Sequence, residues 1–106
     1  MREIEINRKV QDIVEQLVRK YRPQKIILFG SAARGEYDMV NDLDFLIIKE
    51  DVPHRGLDRL RELEQIIEKD IATDMIVYRP EEFEQRLRLG DPFIKAILKE
   101  GQVLYG

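Results

Sequence analysis

Gly30-Ser31-Ala32-Ala33-Arg34-Gly35-Glu36-Tyr37-Asp38-Met39-Val40-Asn41-Asp42-Leu43-Asp44 is the stretch on which the reading of this chain turns. It follows the apolar, β-rich run Lys25–Phe29 and leads into a second one, Asp42–Ile48. Gly30 closes the first run as a strand, Ser31–Gly35 reads as a short helical turn, and Glu36–Asn41 as a surface loop. Alternation along the second strand puts Asp42, Asp44, Leu46 and Ile48 on one face and Leu43, Phe45 and Ile47 on the other. Residues two apart on a strand have Cα atoms about 6.5–7 Å apart, so Asp42 and Asp44 can reach one cation.

Upstream, Val10, Ile13, Val14, Leu17, Val18 and Tyr21 recur at helical spacing and predict a helix over Asn7–Tyr21, with Pro23 just past its end. Downstream, Glu50–Gly56 is a loop around Pro53, and Leu57, Leu60, Leu63, Ile66 and Ile67 mark a helix to about Lys69. Ala72–Tyr78 is a third strand. Pro80 opens a helix that Gly90 closes. Asp91-Pro92 reads as a cap and first-turn proline for another helix, which ends at Gly101, and Gln102–Tyr105 as a short edge strand. The chain is thus expected to be a single α/β domain over residues 1–106, one small mixed sheet flanked by helices. A helix joins the second and third strands, so they are expected to run parallel through a right-handed crossover. If they are neighbours in register, Asp74 joins Asp42 and Asp44 at the same end and face of the sheet.

Composition narrows the function classes. The chain has 106 residues, of which 43% are hydrophobic, enough for one core. Charged residues make up 37%, but 18 Lys+Arg nearly balance 21 Asp+Glu, for a net charge of -3. That balance argues against strong non-specific nucleic-acid binding, which needs a basic field. With no cysteine and a single histidine, His54, a disulfide framework is excluded and the usual zinc sites are disfavoured. No apolar run is long enough to span a membrane and none reads as a signal peptide, so the expected setting is the cytoplasm.

Three hard carboxylate donors favour Mg²⁺, with Mn²⁺ able to substitute, and a third carboxylate leaves room for two ions. Gly30 lets the backbone approach a phosphate closely, Ser31 can donate its hydroxyl and N–H, and Arg34, one turn on, can balance charge on a departing pyrophosphate. Each feature alone is ordinary. Asp-x-Asp pairs often cap loops, Gly-Ser is a common turn, and a lone arginine is usually a surface charge. Their combination in strand–turn–helix and strand contexts points to a site for a metal-bound nucleoside triphosphate, with Asp42, Asp44 and Asp74 as metal ligands and catalytic residues.

The stretch resembles the minimal nucleotidyltransferases of the DNA polymerase β-like superfamily, whose pattern is Gly-Ser, ten residues, then Asp-x-Asp. The spacing here matches without adjustment, extends to Arg34-Gly35, the flanking strands and Asp74, and covers essentially the whole chain. Asn41 stands where many such proteins have serine. The resemblance implies transfer of a nucleoside monophosphate from an NTP, with ATP as the family's donor. Gly30 and Ser31 would hold the triphosphate, Asp42 and Asp44 the metal, and Asp74 would help activate the acceptor hydroxyl. It also implies a partner. Larger relatives carry an extra acceptor domain, whereas minimal ones commonly pair with HEPN-domain toxins. They act there as antitoxins of a type VII-like toxin–antitoxin module by adenylylating (AMPylating) a tyrosine of the toxin.

Two other readings stand beside this one: an antitoxin that neutralises its partner by binding alone, and a nucleotidyltransferase acting on a small molecule or an RNA end. Among the remaining residues, Arg59-x-Arg61-Glu62 and Glu64–Lys69 read as the solvated face of their helix, His54 as a loop residue able to touch a ligand, and Tyr37 as a cover for the loop or a base-stacking group. Most of Phe83, Leu87, Leu89, Phe93, Ile94, Ile97 and Leu98 are expected in the core, with any exposed remainder docking a partner or a second copy as a hetero- or homo-oligomer.

Overall fold

The computed structural model of the protein describes residues 2–106. Helix α1 spans Glu3–Gln16 and begins four residues earlier than the spacing predicted. Ile6 lies one turn before Val10 and continues the buried stripe of Val10, Ile13 and Leu17, while Glu3 and Glu5 put negative charge at the helix N-terminus. The chain then widens into a π-helical turn over Leu17–Tyr21, closed by the Arg22 N–H donating to the Leu17 carbonyl at 2.9 Å. Arg22 is left-handed, at φ 58°, and Pro23 follows.

Strands β1 (Lys25–Phe29), β2 (Asp42–Ile48), β3 (Ala72–Tyr78) and β4 (Gln102–Tyr105) form one mixed sheet in the order β3-β2-β1-β4. β2 and β3 are parallel and joined through helix α3 (Gly56–Ile66), as expected, whereas β1 runs antiparallel to both β2 and β4. Alternation divides the core between the two faces. Ile26, Leu28, Leu43, Phe45, Ile47, Met75 and Val77 face the layer of α1 and α3. Ile27 and Leu46 meet Ile97 from the other layer, made by α4 (Pro80–Arg88) and α5 (Pro92–Glu100). Asp91 caps α5, accepting from the Phe93 N–H at 2.9 Å, and Gly90, at φ 76°, closes α4. Among the described residues no helix is long and apolar enough to cross a membrane.

Three expectations are corrected. Helix α3 stops at Ile66 rather than near Lys69. The Gln16 side chain accepts from the Glu68 N–H at 2.7 Å and donates to the Glu68 carbonyl at 2.6 Å, and Lys20 donates to the Ile66 carbonyl at 3.0 Å. These bonds from α1 and its π-turn draw the following segment off the helix axis and seat Ile67 in the core.

Arg59 is not on a solvated face: only 3% of it is exposed. Its Nε donates to the Pro53 carbonyl at 2.6 Å, and its two terminal nitrogens donate to the carbonyls of Val77 at 2.9 Å and His54 at 3.1 Å and to the Glu82 carboxylate at 2.8 and 3.3 Å. All five guanidinium donors are therefore satisfied, which is what makes burying the charge tolerable.

The C-terminal apolar residues are mostly not core. Ile94 and Ile97 are buried and Phe83 is half-buried, but Leu87, Leu89, Phe93 and Leu98 are exposed. Helix α5 is nine residues long and turns only Ile94 and Ile97, one turn apart, inward.

Candidate active site

The polypeptide reaches the site through an abrupt change of backbone. Phe29 ends β1 extended, and Gly30 enters the four-residue helix α2 (Gly30–Ala33) at φ 76°. That conformation strains any residue with a Cβ. A Cβ on Gly30 would also collide with the Asp44 carboxylate, whose Cγ would lie 3.1 Å away. The turn is tied by the Arg34 N–H to the Gly30 carbonyl at 3.2 Å and by the Glu36 N–H to the Ser31 carbonyl at 3.0 Å.

Backbone pairing builds the rest. Phe29 of β1 pairs with Asp44 of β2, and Asp44 pairs in register with Asp74 of β3. These three side chains form one row across the sheet, on strands about 4.8 Å apart. Asp42 stands two residues from Asp44 on the same face. The three carboxylates thus gather at one end and face of the sheet, beside the Gly30-Ser31 turn. Asp42 and Asp74 are exposed and Asp44 is half-buried. Burial first, then the charges of Asp42 and Asp74, push the Asp44 carboxyl up to about 6, against the opposing pull of Arg34.

Arg34 lies close enough to influence Asp44 but is held by other groups: its guanidinium is 3.1 Å from Glu36 and 3.4 Å from Glu100. Glu100, at the end of α5, was not expected at the site, and Phe93, expected among the core residues, stands with its ring edge-on to Phe29 at 5.7 Å. They come from a helix about 60 residues downstream, and no local pattern links them to the turn. A small cleft of about 140 Å³ joins Phe29, Gly30, Arg34, Phe93 and Glu100. Tyr37 lies in a 3₁₀ turn, Tyr37–Met39, and packs against the main core, which favours its reading as a cover for the loop. A cleft of about 700 Å³ lies between α1 and the segment before β3, and none of Gly30, Ser31, Arg34, Asp42, Asp44 and Asp74 lines it.

The general model of the nucleotidyltransferase domain matches residues 8–104. The chain belongs to the nucleotidyltransferase domain family. Over 98 residues it is 34% identical to a protein of Methanocaldococcus jannaschii named "putative protein adenylyltransferase", covering 91% of this chain and 94% of that one. A second protein of that name from the same organism is 36% identical over 83 residues, 76% of this chain and 56% of the relative. The fold is shared with a crystal structure of a "putative nucleotidyltransferase" from Sulfolobus solfataricus, with a TM-score of 0.61 and 25% identity over 78% of this chain and 75% of that one.

The donor set of this nucleotidyltransferase suits a hard divalent cation. Among the described residues no group of three or more His, Cys, Asp or Glu side chains is placed so that it could hold a metal ion. Mg²⁺ does not require one, since it usually takes one or two carboxylates together with water and substrate phosphates. Burial first, and the charges of Asp42 and Asp74 second, raise the pKa of Asp44, and a cation at this row would relieve the repulsion among the three.

Proposed function

We propose that this nucleotidyltransferase is a protein adenylyltransferase that transfers AMP from ATP to a hydroxyl of a partner polypeptide. The acceptor is a tyrosine of a HEPN-domain toxin, for which this chain serves as antitoxin. The family and the names of its relatives support the transfer chemistry. The toxin partner rests on the resemblance to minimal nucleotidyltransferases. The observation that carries the site assignment is the in-register pairing of Asp44 with Asp74 beside the Gly30 turn.

In this reading Asp42, Asp44 and Asp74 would hold Mg²⁺, one ion or two, together with substrate phosphates, and the ion would supply charge neutralisation for the transferred phosphoryl group. Gly30 leaves room for a phosphate to approach the backbone. Ser31 donates its hydroxyl to the triphosphate. Arg34 exchanges one of its carboxylate partners for the departing pyrophosphate. Asp74, at the exposed end of the row, accepts the proton of the acceptor hydroxyl.

Intact-mass analysis of the partner tests this proposal, after incubation with ATP, Mg²⁺ and either the wild type or the Asp42→Asn/Asp44→Asn variant. An adenylyl increment with the wild type alone is the expected result. An increment that persists in the double variant would remove these carboxylates from the chemistry. No increment, with tight binding and loss of toxin activity, would make the protein an occluding antitoxin.

A further inference from the structure

In-line displacement at phosphorus puts the entering and leaving oxygens on opposite sides of the reacting atom. Gly30, Ser31 and Arg34 lie on the β1 side of the Asp42–Asp44 pair, and Asp74 lies on the β3 side. A triphosphate tail held on the β1 side therefore leaves the β3 side for the acceptor.

β3 is an edge strand, and a cleft of about 350 Å³ runs along it from Asp74, between the start of α3 and α4. Ile76 and Tyr78, on the same face as Asp74, supply a half-buried floor, and His54 and Arg86 stand at its walls. The Arg59 bonds to Pro53, His54, Val77 and Glu82 fix the walls relative to each other. Glu82, the acidic group on the α4 side, is thereby occupied. The charge left at the far end is cationic. Arg86 lies over the Tyr78 ring at 5.1 Å with its side chain 51% exposed. Its contact with Asp91, a hydrogen bond of 3.3 Å, is exposed to solvent.

We propose that this cleft is the acceptor site and takes a polypeptide segment whose hydroxyl-bearing residue reaches Asp74 while acidic residues three or four positions away meet Arg86. Asp74 and Tyr78 are four residues apart, a span of about 13 Å that an extended segment of the same length covers. The inference rests on the transferase reading above. The acceptor oxygen forms a bond to the α-phosphorus as the bond to the α,β-bridging oxygen breaks. The electron pair leaves with pyrophosphate, and the acceptor proton passes to Asp74.

The test uses two ten-residue peptides, each with one tyrosine, flanked at three and four residues by glutamates in one and lysines in the other. Adenylylation is read by mass with ATP and Mg²⁺, and MgATP binding is read separately by calorimetry. The acidic peptide is expected to be modified about tenfold faster, the difference that about 1.4 kcal/mol of charge complementarity produces. Arg86→Glu is expected to remove that preference and leave MgATP binding unchanged, and Arg86→Gln to weaken it partway with no charge reversal. Equal modification of both peptides, an unchanged preference in Arg86→Glu, MgATP binding with neither peptide modified, or transfer to an oligoribonucleotide end instead would each overturn the acceptor cleft. Failure of the wild type to bind MgATP would overturn the transferase reading itself, and the cleft assignment with it.

Discussion

The α-carbon of Gly30 and the carboxylate of Asp44 share a space too small for one additional methyl group. The turn and the half-buried carboxylate can therefore occupy their positions only because residue 30 has no side chain.

Gly30→Ala is expected to fail on two counts, the left-handed φ of 76° and the collision with Asp44. A stability loss of about 1–3 kcal/mol is expected by denaturant unfolding, and transfer activity should fall at least about a hundredfold as Asp44 is displaced. Adding Asp44→Ala relieves the collision but not the backbone strain. The double variant should therefore regain part of the stability, and the single costs should not add.

Asp44 makes stability depend on pH in the direction opposite to most carboxylates. Its folded pKa of about 6 lies above the ordinary 3.8, so the folded state holds the proton more tightly. The metal-free protein should then lose stability as pH rises from about 4 to about 6. Thermal unfolding of wild type and Asp44→Asn across that range checks it. The variant should lack this slope and be more stable at neutral pH by on the order of 1 kcal/mol after solvent screening, while losing transfer activity. Mg²⁺ should raise the midpoint of the wild type more than that of the variant.

Arg59 binds the loop before α3, the end of β3 and the start of α4 through one guanidinium. Arg59→Met should cost about 3–5 kcal/mol, because it strands the Pro53, His54 and Val77 carbonyls together with Glu82. Arg59→Lys should recover little, since an ammonium cannot reproduce the fork. Glu82, held below its usual range by Arg59, adds a second and conventional pH term: its contribution is present above about 4.5 and lost as pH falls through its depressed pKa.

The hydroxyl of Tyr21 is buried without a hydrogen-bond partner among the described residues, and burial raises its pKa to about 12. Tyr21→Phe should keep the ring in the core and raise stability by about 1 kcal/mol by removing an unsatisfied polar atom. A lower unfolding midpoint in this variant would mean that the hydroxyl is satisfied in solution.

What could be read in advance was what short-range pattern encodes. The alternation in Asp42–Ile48 gave the face of each residue, and the helix between the second and third strands implied their parallel pairing, which together bring Asp74 beside Asp44. Asp91 and Gly90 marked the helix ends through their own local chemistry. What escaped depends on contacts across tens of residues. Arg59 looks solvated in a charged run because three of its acceptors are backbone carbonyls, which have no sequence identity. The early end of α3 is imposed by Gln16 and Lys20, and the partner that holds Arg34 to α5, Glu100, is 66 residues away. The exposure of Phe93 and Leu98 reflects how little of the nine-residue α5 can face the sheet, which composition does not reveal.

The Asp44–Asp74 pair also sets a rule of parity for change in this chain. The segment between Ile66 and Ala72 can lengthen without moving Asp74, because β3 would still enter the sheet in the same register. One residue inserted between Ala72 and Asp74 would turn that carboxylate to the α1–α3 side, and a second would turn it back one pair out of line. Descendants of this fold are therefore free to vary in loop length, but within β3 an odd change removes a carboxylate from the row even when every acidic residue is kept.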